Sequence, residues 1–442
     1  MSLAVLESLL GEAKRAGADA ADAVLFASTS VSVERRLGQM EHLERSESRD
    51  LGLRVFLGQR AAIISASSVD PARFADLASR AVAMAKVVPE DPFSALSEQA
   101  RAPADVAALD LVDAGEPDIA ELIERAQTAE EAALLVSGVT NSEGGSAGFG
   151  RTDIYLATSA GFFGQYARTS HSVSASVLAG SGTGMQRDYD YHSVLHLEDL
   201  DDAAVIGRSA GERAVARLDP VRPKTGKMPV VYDPRVSGSL LGHLSGAING
   251  AAVARGTSFL KDRLGQKIFA SGIFVHDDPR RVRGSSSKTF DAEGVPTQAR
   301  AVIEDGLLTT WFLDSRSARQ LGLTSTGHAA RGTGGPPSPS STNLYLAAGT
   351  VTPSALMDDI AEGIYITELL GSSINSMTGD YSRGASGFMI RGGALAEPVA
   401  EITVAGNLLD MYAALVPADD LRFRRGTDAP TVRVDGMVVA GG

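Results

Sequence analysis

Val236-Ser-Gly-Ser-Leu-Leu-Gly-His-Leu-Ser-Gly-Ala-Ile-Asn-Gly-Ala-Ala-Val-Ala254 is the stretch whose reading decides the fold. It is apolar and rich in small residues, which suits a buried helix packed closely against its neighbours. After it the chain changes character, into many short strand-like runs broken by Gly and Asp. Before it lies Asp219-Pro-Val-Arg-Pro-Lys-Thr-Gly226, with two prolines and a local switch to positive charge. That composition marks a boundary. The predicted organisation is a domain over 1–218, a linker over 219–227 and a β-rich domain over 228–442.

The first half reads as a mixture of helix and strand. Leu3 to Ala16 has apolar residues at helical spacing and stops at Gly17. Ala21 to Arg35 reads as a long strand, and Asp50 to Leu57 with Arg60 to Ser65 flank Gly58-Gln59 as a hairpin. Asp70 to Val87 and Ile119 to Leu135 read as amphipathic helices, the first with Pro71 in its opening turn, where a missing N–H costs nothing. Val136 to His196 is strand-rich, and Glu198 to Leu218 reads as a closing helix. The fold class expected is α+β, with an antiparallel sheet in the N-terminal domain.

The chain has 442 residues, 44% apolar and 21% charged, as in an ordinary soluble globular protein. The formal charge is -13 and aromatics are only 5%. An acidic chain repels a phosphate backbone, and few rings are available to stack bases, so direct nucleic-acid binding is not expected. There is no cysteine, which excludes disulfides, thiol nucleophiles and cysteine metal ligands. The start of the sequence, apolar but acidic, lacks a basic leader region, and no run of about 18 apolar residues occurs. A cytoplasmic protein without a membrane span is expected.

Several strings in the second half resemble the TldD/PmbA family of zinc-peptidase-related proteins. They are Arg255-Gly-Thr-Ser258, Asp277-Asp278, Asp291-Ala-Glu-Gly-Val-Pro296, Pro337-Ser-Pro339 with Asn343, Gly379-Asp-Tyr-Ser-Arg-Gly-Ala-Ser-Gly-Phe388 and Glu401-Ile-Thr-Val-Ala-Gly-Asn407. In the catalytic branch of that family a His-Glu-x-x-x-His zinc motif precedes the Arg-Gly-Thr-Ser run. Here the slot holds Leu241-Gly-His-Leu-Ser-Gly246, so both ligand positions (Leu241, Gly246) and the base position (Gly242) are lost. The late cysteine that serves the active branch as a further ligand is lost too.

The chain therefore resembles the PmbA (TldE) branch, the metal-free partner of a two-component peptidase. The resemblance implies no cofactor in this chain, zinc in a TldD-like catalytic partner, an unfolded peptide as substrate, and dimers enclosing a chamber. A homodimer is possible in isolation. It also points to a peptide groove or subunit contact at Arg331, Gly334, Gly335, Asn343, Arg383 and Ser386. The alternative is a stand-alone peptide-binding or regulatory protein of the gyrase-modulator type, although the family's association with gyrase gains no support from the charge. A third reading is an autonomous enzyme with a site of another kind.

Other motifs have plainer readings. A zinc hydrolase needs two histidines on one face, a carboxylate beside the water and a third ligand. Of the seven histidines only His192 and His196 are four apart, in a strand-like run without a placed glutamate; they read as surface residues. His243 supplies one ligand at most. Asp277-Asp278 and Asp291 with Glu293 precede turn residues, so capping explains them more cheaply than acid–base chemistry. Gly180-Ser-Gly-Thr-Gly184 lacks a following Lys-Ser/Thr. No Gly-x-Ser-x-Gly elbow stands at a clear strand–helix turn. Arg383, in Tyr381-Ser-Arg-Gly-Ala-Ser-Gly387, is placed either to pair with a carboxylate or in a tight hairpin. Gly327 to Thr342 is a long proline- and glycine-rich loop, expected to be mobile or ordered by a partner, and of a length that is usually functional.

Overall fold

The computed structural model describes residues 2–103 and 105–441. The first half is one antiparallel sheet with helices on it. Its strands are β1 (Ala20–Arg36), β2 (Gln39–Leu57), β3 (Arg60–Ala66), β4 (Val139–Thr158), β5 (Phe163–Ala179) and β6 (Gln186–Val194), in the order β3-β2-β1-β4-β5-β6. The predicted hairpin is present, with Leu57 opposite Arg60. Helices α1 (Ser2–Arg15) and α2 (Phe74–Val87) bury Leu6, Leu9, Phe74 and Leu77 against Leu51, Leu53 and Val55 of β2. Asp70 accepts the N–H of Ala72 and opens a short 3-10 turn at Pro71 that runs into α2.

Helix α3 (Ile119–Leu134) starts in a capping box, Asp118 accepting the N–H of Glu121 while Glu121 accepts that of Asp118. It packs with α4 (Ala203–Ala216) over β4 and β5. Helix α4 begins later than its periodicity predicts. Asp202 caps it by accepting the N–H groups of Ala204 and Val205, and Leu197–Asp199 forms a separate 3-10 turn.

Strand β2 is longer than predicted. Its register with β1 continues out to Gln39, and residues 39–50 are exposed throughout. Strand β3 covers only Leu51 to Leu57, so among the described residues twelve residues of β2 present a free edge. That segment, with both faces in water, carries no hydrophobic alternation by which to recognise it.

In the second half β7 (Gly226–Tyr232) leads directly into α5 (Pro234–Ala247). Strand β7 pairs in parallel with Glu362–Ile374 and antiparallel with Val432–Ala440. Asp380–Arg391 and Ala394–Asn407 extend the sheet, and Thr403–Ala405 pairs back onto Val438–Ala440 to close a ring of strands. A second sheet joins Val275–Asp277, Arg300–Glu304, Leu307–Leu308, Leu344–Leu346 and Thr427–Asp428. One core runs through this half, with Tyr232, Leu240, Leu241, Leu244, Phe312 and Tyr412 buried together. The α+β class holds, with a β-rich C-terminal half. Across the junction, Val24, Leu156 and Phe162 of the first half pack against Phe290 of the second.

Candidate functional site

The decisive stretch is helical, but in two pieces. Asp233 caps α5 through the N–H of Arg235 at 2.8 Å, and Pro234 takes the first-turn position. The helix ends at Ile248. Asn249 then caps α6 (Gly250–Ala254) by accepting the N–H groups of Ala251 and Ala252.

The slot residues fall on different faces of α5. Leu241 is 1% exposed and points into the core with Leu240 and Leu244. Gly242 and Gly246, one turn apart, face outward with open space where a Cβ would stand. A zinc site needs imidazole or carboxylate donors converging on one point. Here one ligand position is a buried aliphatic chain, and the other, like the base position, has no side chain. The residues do not fit the metal. Among the described residues no three His, Cys, Asp or Glu side chains converge in a metal-binding group.

His243 lies beside this bare face. Its ring meets Tyr381 edge-on at 5.9 Å and 73°. Burial, reinforced by the charge of Arg383, pushes its pKa down to about 4, so the imidazole is neutral at neutral pH. Among the described residues His243 Nε2, Arg383 Nε and the hydroxyls of Tyr232 and Tyr381 are buried with no hydrogen-bond partner. Arg383 lies within the strand Asp380–Arg391, an arm of the antiparallel hairpin with Glu362–Ile374 and not its turn, which falls earlier, at 375–379. Ser386, on the same strand, is buried at 4% exposure.

The loop 327–342 runs alongside α5. Asn249 Nδ2 donates to the carbonyl of Pro339 at 2.7 Å, and the Ser245 and Ser341 hydroxyls are 3.3 Å apart. The loop is not free to await a partner. Ala329–Ala330 pairs with Ser338–Pro339, and the segment between them lies across the first half of the chain as a strap. Arg331 is bonded to Asp22 of β1, its side chain 1% exposed. A Cβ at Gly52 of β2 would stand 2.5 Å from the carbonyl oxygen of Thr333. Arg331 therefore spends its charge internally, where the sequence reading offered it to a peptide or a partner acid. Gly334 is exposed and Gly335 half-buried on the outer side of the strap.

Buried carboxylates hold the strap's ends. Asp277 accepts the N–H of Thr342 at 2.7 Å, the Thr342 hydroxyl at 2.5 Å and the His328 imidazole at 3.1 Å. Asp291 accepts the N–H groups of Glu293, Val295 and Ala329. Burial, with the neighbouring Glu293 charge, pushes the Asp291 carboxyl up to about 7. Asn343 donates to the carbonyl of Asp278 and to Ser287, and accepts the N–H of Ser286. At 1% exposure it is a clamp, not part of a groove. Capping is thus part of what these carboxylates do; sequence reading missed that they reach across the fold to the strap.

Asp22 sits between Arg331 and Arg54. Burial would raise its carboxyl, but the two guanidinium groups outweigh that and hold it below the ordinary carboxylate range. Arg54 also faces Glu293, 3.8 Å away. Arg54 and Glu293, with Pro336, Ser338, Asp314 and Arg255, line a cavity of about 550 Å³ between the halves.

His192 and His196 are buried, not at the surface, and go separate ways. His192 Nδ1 accepts the N–H of Asp201, and His196 Nε2 lies 2.9 Å from the carbonyl of Asp110. Gly180–Gly184 is the turn between β5 and β6 and leads into a strand, so no phosphate cradle forms there.

The description of the PmbA/TldA metallopeptidase C-terminal domain matches residues 225–441, that of the central domain residues 113–218 and that of domain 1 residues 21–85. The chain belongs to the PmbA/TldD family. The protein named metalloprotease PmbA of Escherichia coli O157:H7 is 35% identical over 425 residues, covering 96% of this chain and 92% of that protein. A PmbA homologue of Haemophilus influenzae is 32% identical, covering 97% and 94%. A crystal structure from Bacteroides thetaiotaomicron, described as a putative modulator of DNA gyrase, superposes with a TM-score of 0.87 at 28% identity, covering 100% of this chain and 99% of that one. TldE from Thermococcus kodakarensis shares the fold, with a TM-score of 0.85 at 19% identity over 99% and 100% of the two chains.

Proposed function

We propose that this chain is the non-catalytic subunit of a two-component zinc peptidase acting on unfolded peptides. Its partner is a TldD-like chain that carries the His-Glu-x-x-x-His motif and the metal. One observation carries this reading: α5 turns Leu241 into the core and presents only Gly242 and Gly246 outward. A helix face without side chains performs no proton transfer or metal ligation, but it lets another backbone approach closely. The free edge of β2 supports an assembled state. Twelve residues paired on one side only, with Met40 and Leu43 exposed, form an edge that proteins ordinarily cover or shorten.

The test is reconstitution. The purified chain is assayed on an unfolded peptide alone, and then with a motif-bearing paralogue from the same genome. The reading expects cleavage only in the mixture, abolished by a chelator, and a complex of the two chains on gel filtration. Cleavage by the chain alone, insensitive to chelators, overturns it. Failure to form a complex favours a stand-alone peptide-binding protein.

A further inference from the structure

A pocket of about 380 Å³ opens where the two halves of the chain meet, on the side of α5's first turn. Its walls come from β6 and α4 of the first half, and from Asp233, Arg235 and the loop 420–431 of the second. Five arginines and four aspartates line it, in a chain whose formal charge is -13.

The aspartates are all committed to partners in the protein. Asp428 accepts the N–H groups of Arg424 at 3.1 Å and Arg425 at 3.0 Å. Asp420 accepts the N–H and the hydroxyl of Thr431, each at 2.8 Å. Asp233 accepts the N–H of Arg235 and the hydroxyl of Tyr365, also at 2.8 Å. Asp190 pairs with Arg213 at 2.9 Å.

The arginines are not all committed. Arg235 pairs with Asp188 at 2.6 Å, and Arg424 pairs with Asp201. Arg425 donates only to the carbonyl of Arg235, at 2.7 Å, and lies over the Tyr191 ring 5.4 Å from its centre. Arg422 is exposed and has no partner among the described residues. Two guanidinium groups therefore line one concave wall without an ion-pair partner among the described residues.

We propose that this pocket binds a compact dianion, a phosphate or a dicarboxylate, through Arg422 and Arg425. Planar guanidinium groups present paired donors that match the oxygens of either anion. The Tyr191 ring helps to hold the Arg425 guanidinium at this wall beforehand. A ligand there touches both halves of the chain, so it stabilises their packing by mass action. This site is separate from the slot on α5 and does not depend on the peptidase reading.

The experiment is isothermal titration of the full chain with inorganic phosphate and, separately, with succinate, at an ionic strength fixed by sodium chloride. The wild type is compared with Arg422→Ala, with the Arg422→Ala/Arg425→Ala pair and with Arg422→Lys. Saturable one-site binding of at least one anion is expected. The affinity should fall roughly tenfold or more in the alanine pair and by several-fold in Arg422→Ala, with Arg422→Lys in between, since lysine keeps the charge but loses the paired donors. Binding of phosphate alone assigns a phosphate group, binding of succinate alone a dicarboxylate, and binding of both a site that reads charge only. The proposal is overturned if neither anion binds saturably at about 10 mM, or if Arg422→Ala, whose side chain has no partner among the described residues, binds like the wild type.

Discussion

The carboxylate of Asp277 accepts the backbone N–H of Thr342 at 2.7 Å, across 65 residues of sequence, with both residues buried. It also takes the Thr342 hydroxyl and the His328 imidazole, so both ends of the strap are fixed to one side chain. Removing the acceptor leaves buried donors unpaired, which costs more than the bonds contribute net. Asp277→Ala is expected to destabilise the chain by about 3 kcal/mol in urea unfolding. A loss under about 0.5 kcal/mol would mean that the strap is not held this way.

The strap itself is expected to support the fold. The sequence reading, which saw only Gly and Pro, predicts little change in melting temperature on deleting Gly332 to Pro337. The contacts of Thr333 with Gly52 and of Arg331 with Asp22 predict otherwise. Gly52→Ala forces a Cβ against the backbone of Thr333 and is expected to cost about 1–3 kcal/mol. The deletion should lower the melting temperature by several degrees. Differential scanning calorimetry of both variants measures this; unchanged transitions would return the strap to the status of a free loop.

The bare face of α5 behaves in the opposite way. A methyl group at Gly242 or Gly246 meets nothing, and each glycine sits inside a helix. Gly242→Ala and Gly246→Ala are each expected to stabilise the isolated chain by about 0.5–1 kcal/mol. If the face is where another backbone approaches, the same variants weaken the reconstituted peptidase while melting higher. Stability gained with activity intact would show that nothing packs there.

His243 makes stability depend on pH. Its folded pKa of about 4 lies below the ordinary imidazole value near 6.5, because burial and Arg383 disfavour the charged form. Between those values the unfolded chain binds more protons than the folded one. The neutral-ring contribution is therefore complete above about pH 6.5 and is lost progressively as pH falls toward 4. Its size is roughly 1–2 kcal/mol, allowing for solvent screening at a half-buried ring. His243→Phe keeps the contact with Tyr381 and should flatten that part of the profile. Asp291, raised to about 7, gives a slope of the opposite sign, so only the difference between wild type and variant isolates His243. Identical pH slopes in the two proteins would refute the assignment.

The donor set at the slot predicts that the isolated chain holds no stoichiometric zinc. Leu241 offers no lone pair, Gly242 and Gly246 offer no side chain, and there is no cysteine elsewhere in the sequence to complete a site. Elemental analysis after dialysis against zinc is expected to find well under one ion per chain. About one tightly held zinc would require a site built from other residues.

The sequence by itself determined the family, the α+β class and the absence of a His-Glu-x-x-x-His string. These rest on local strings and on residue chemistry, which need no coordinates. It also located α1, α3 and the 57–60 hairpin, because the apolar periodicity of the helices and the Gly58-Gln59 turn act within a few residues. Only the tertiary structure decided the rest. The outer half of β2 has water on both faces and so no pattern to read. Arg331, Asn343 and Ser386 looked available for a ligand, but each is buried by segments distant in the chain. The acids Asp277, Asp291 and Asp22 reach partners 65, 38 and 309 residues away. A side chain's burial and its partner depend on which surfaces the fold brings together, and that is set by the packing of the two halves, not by the residues on either side of it.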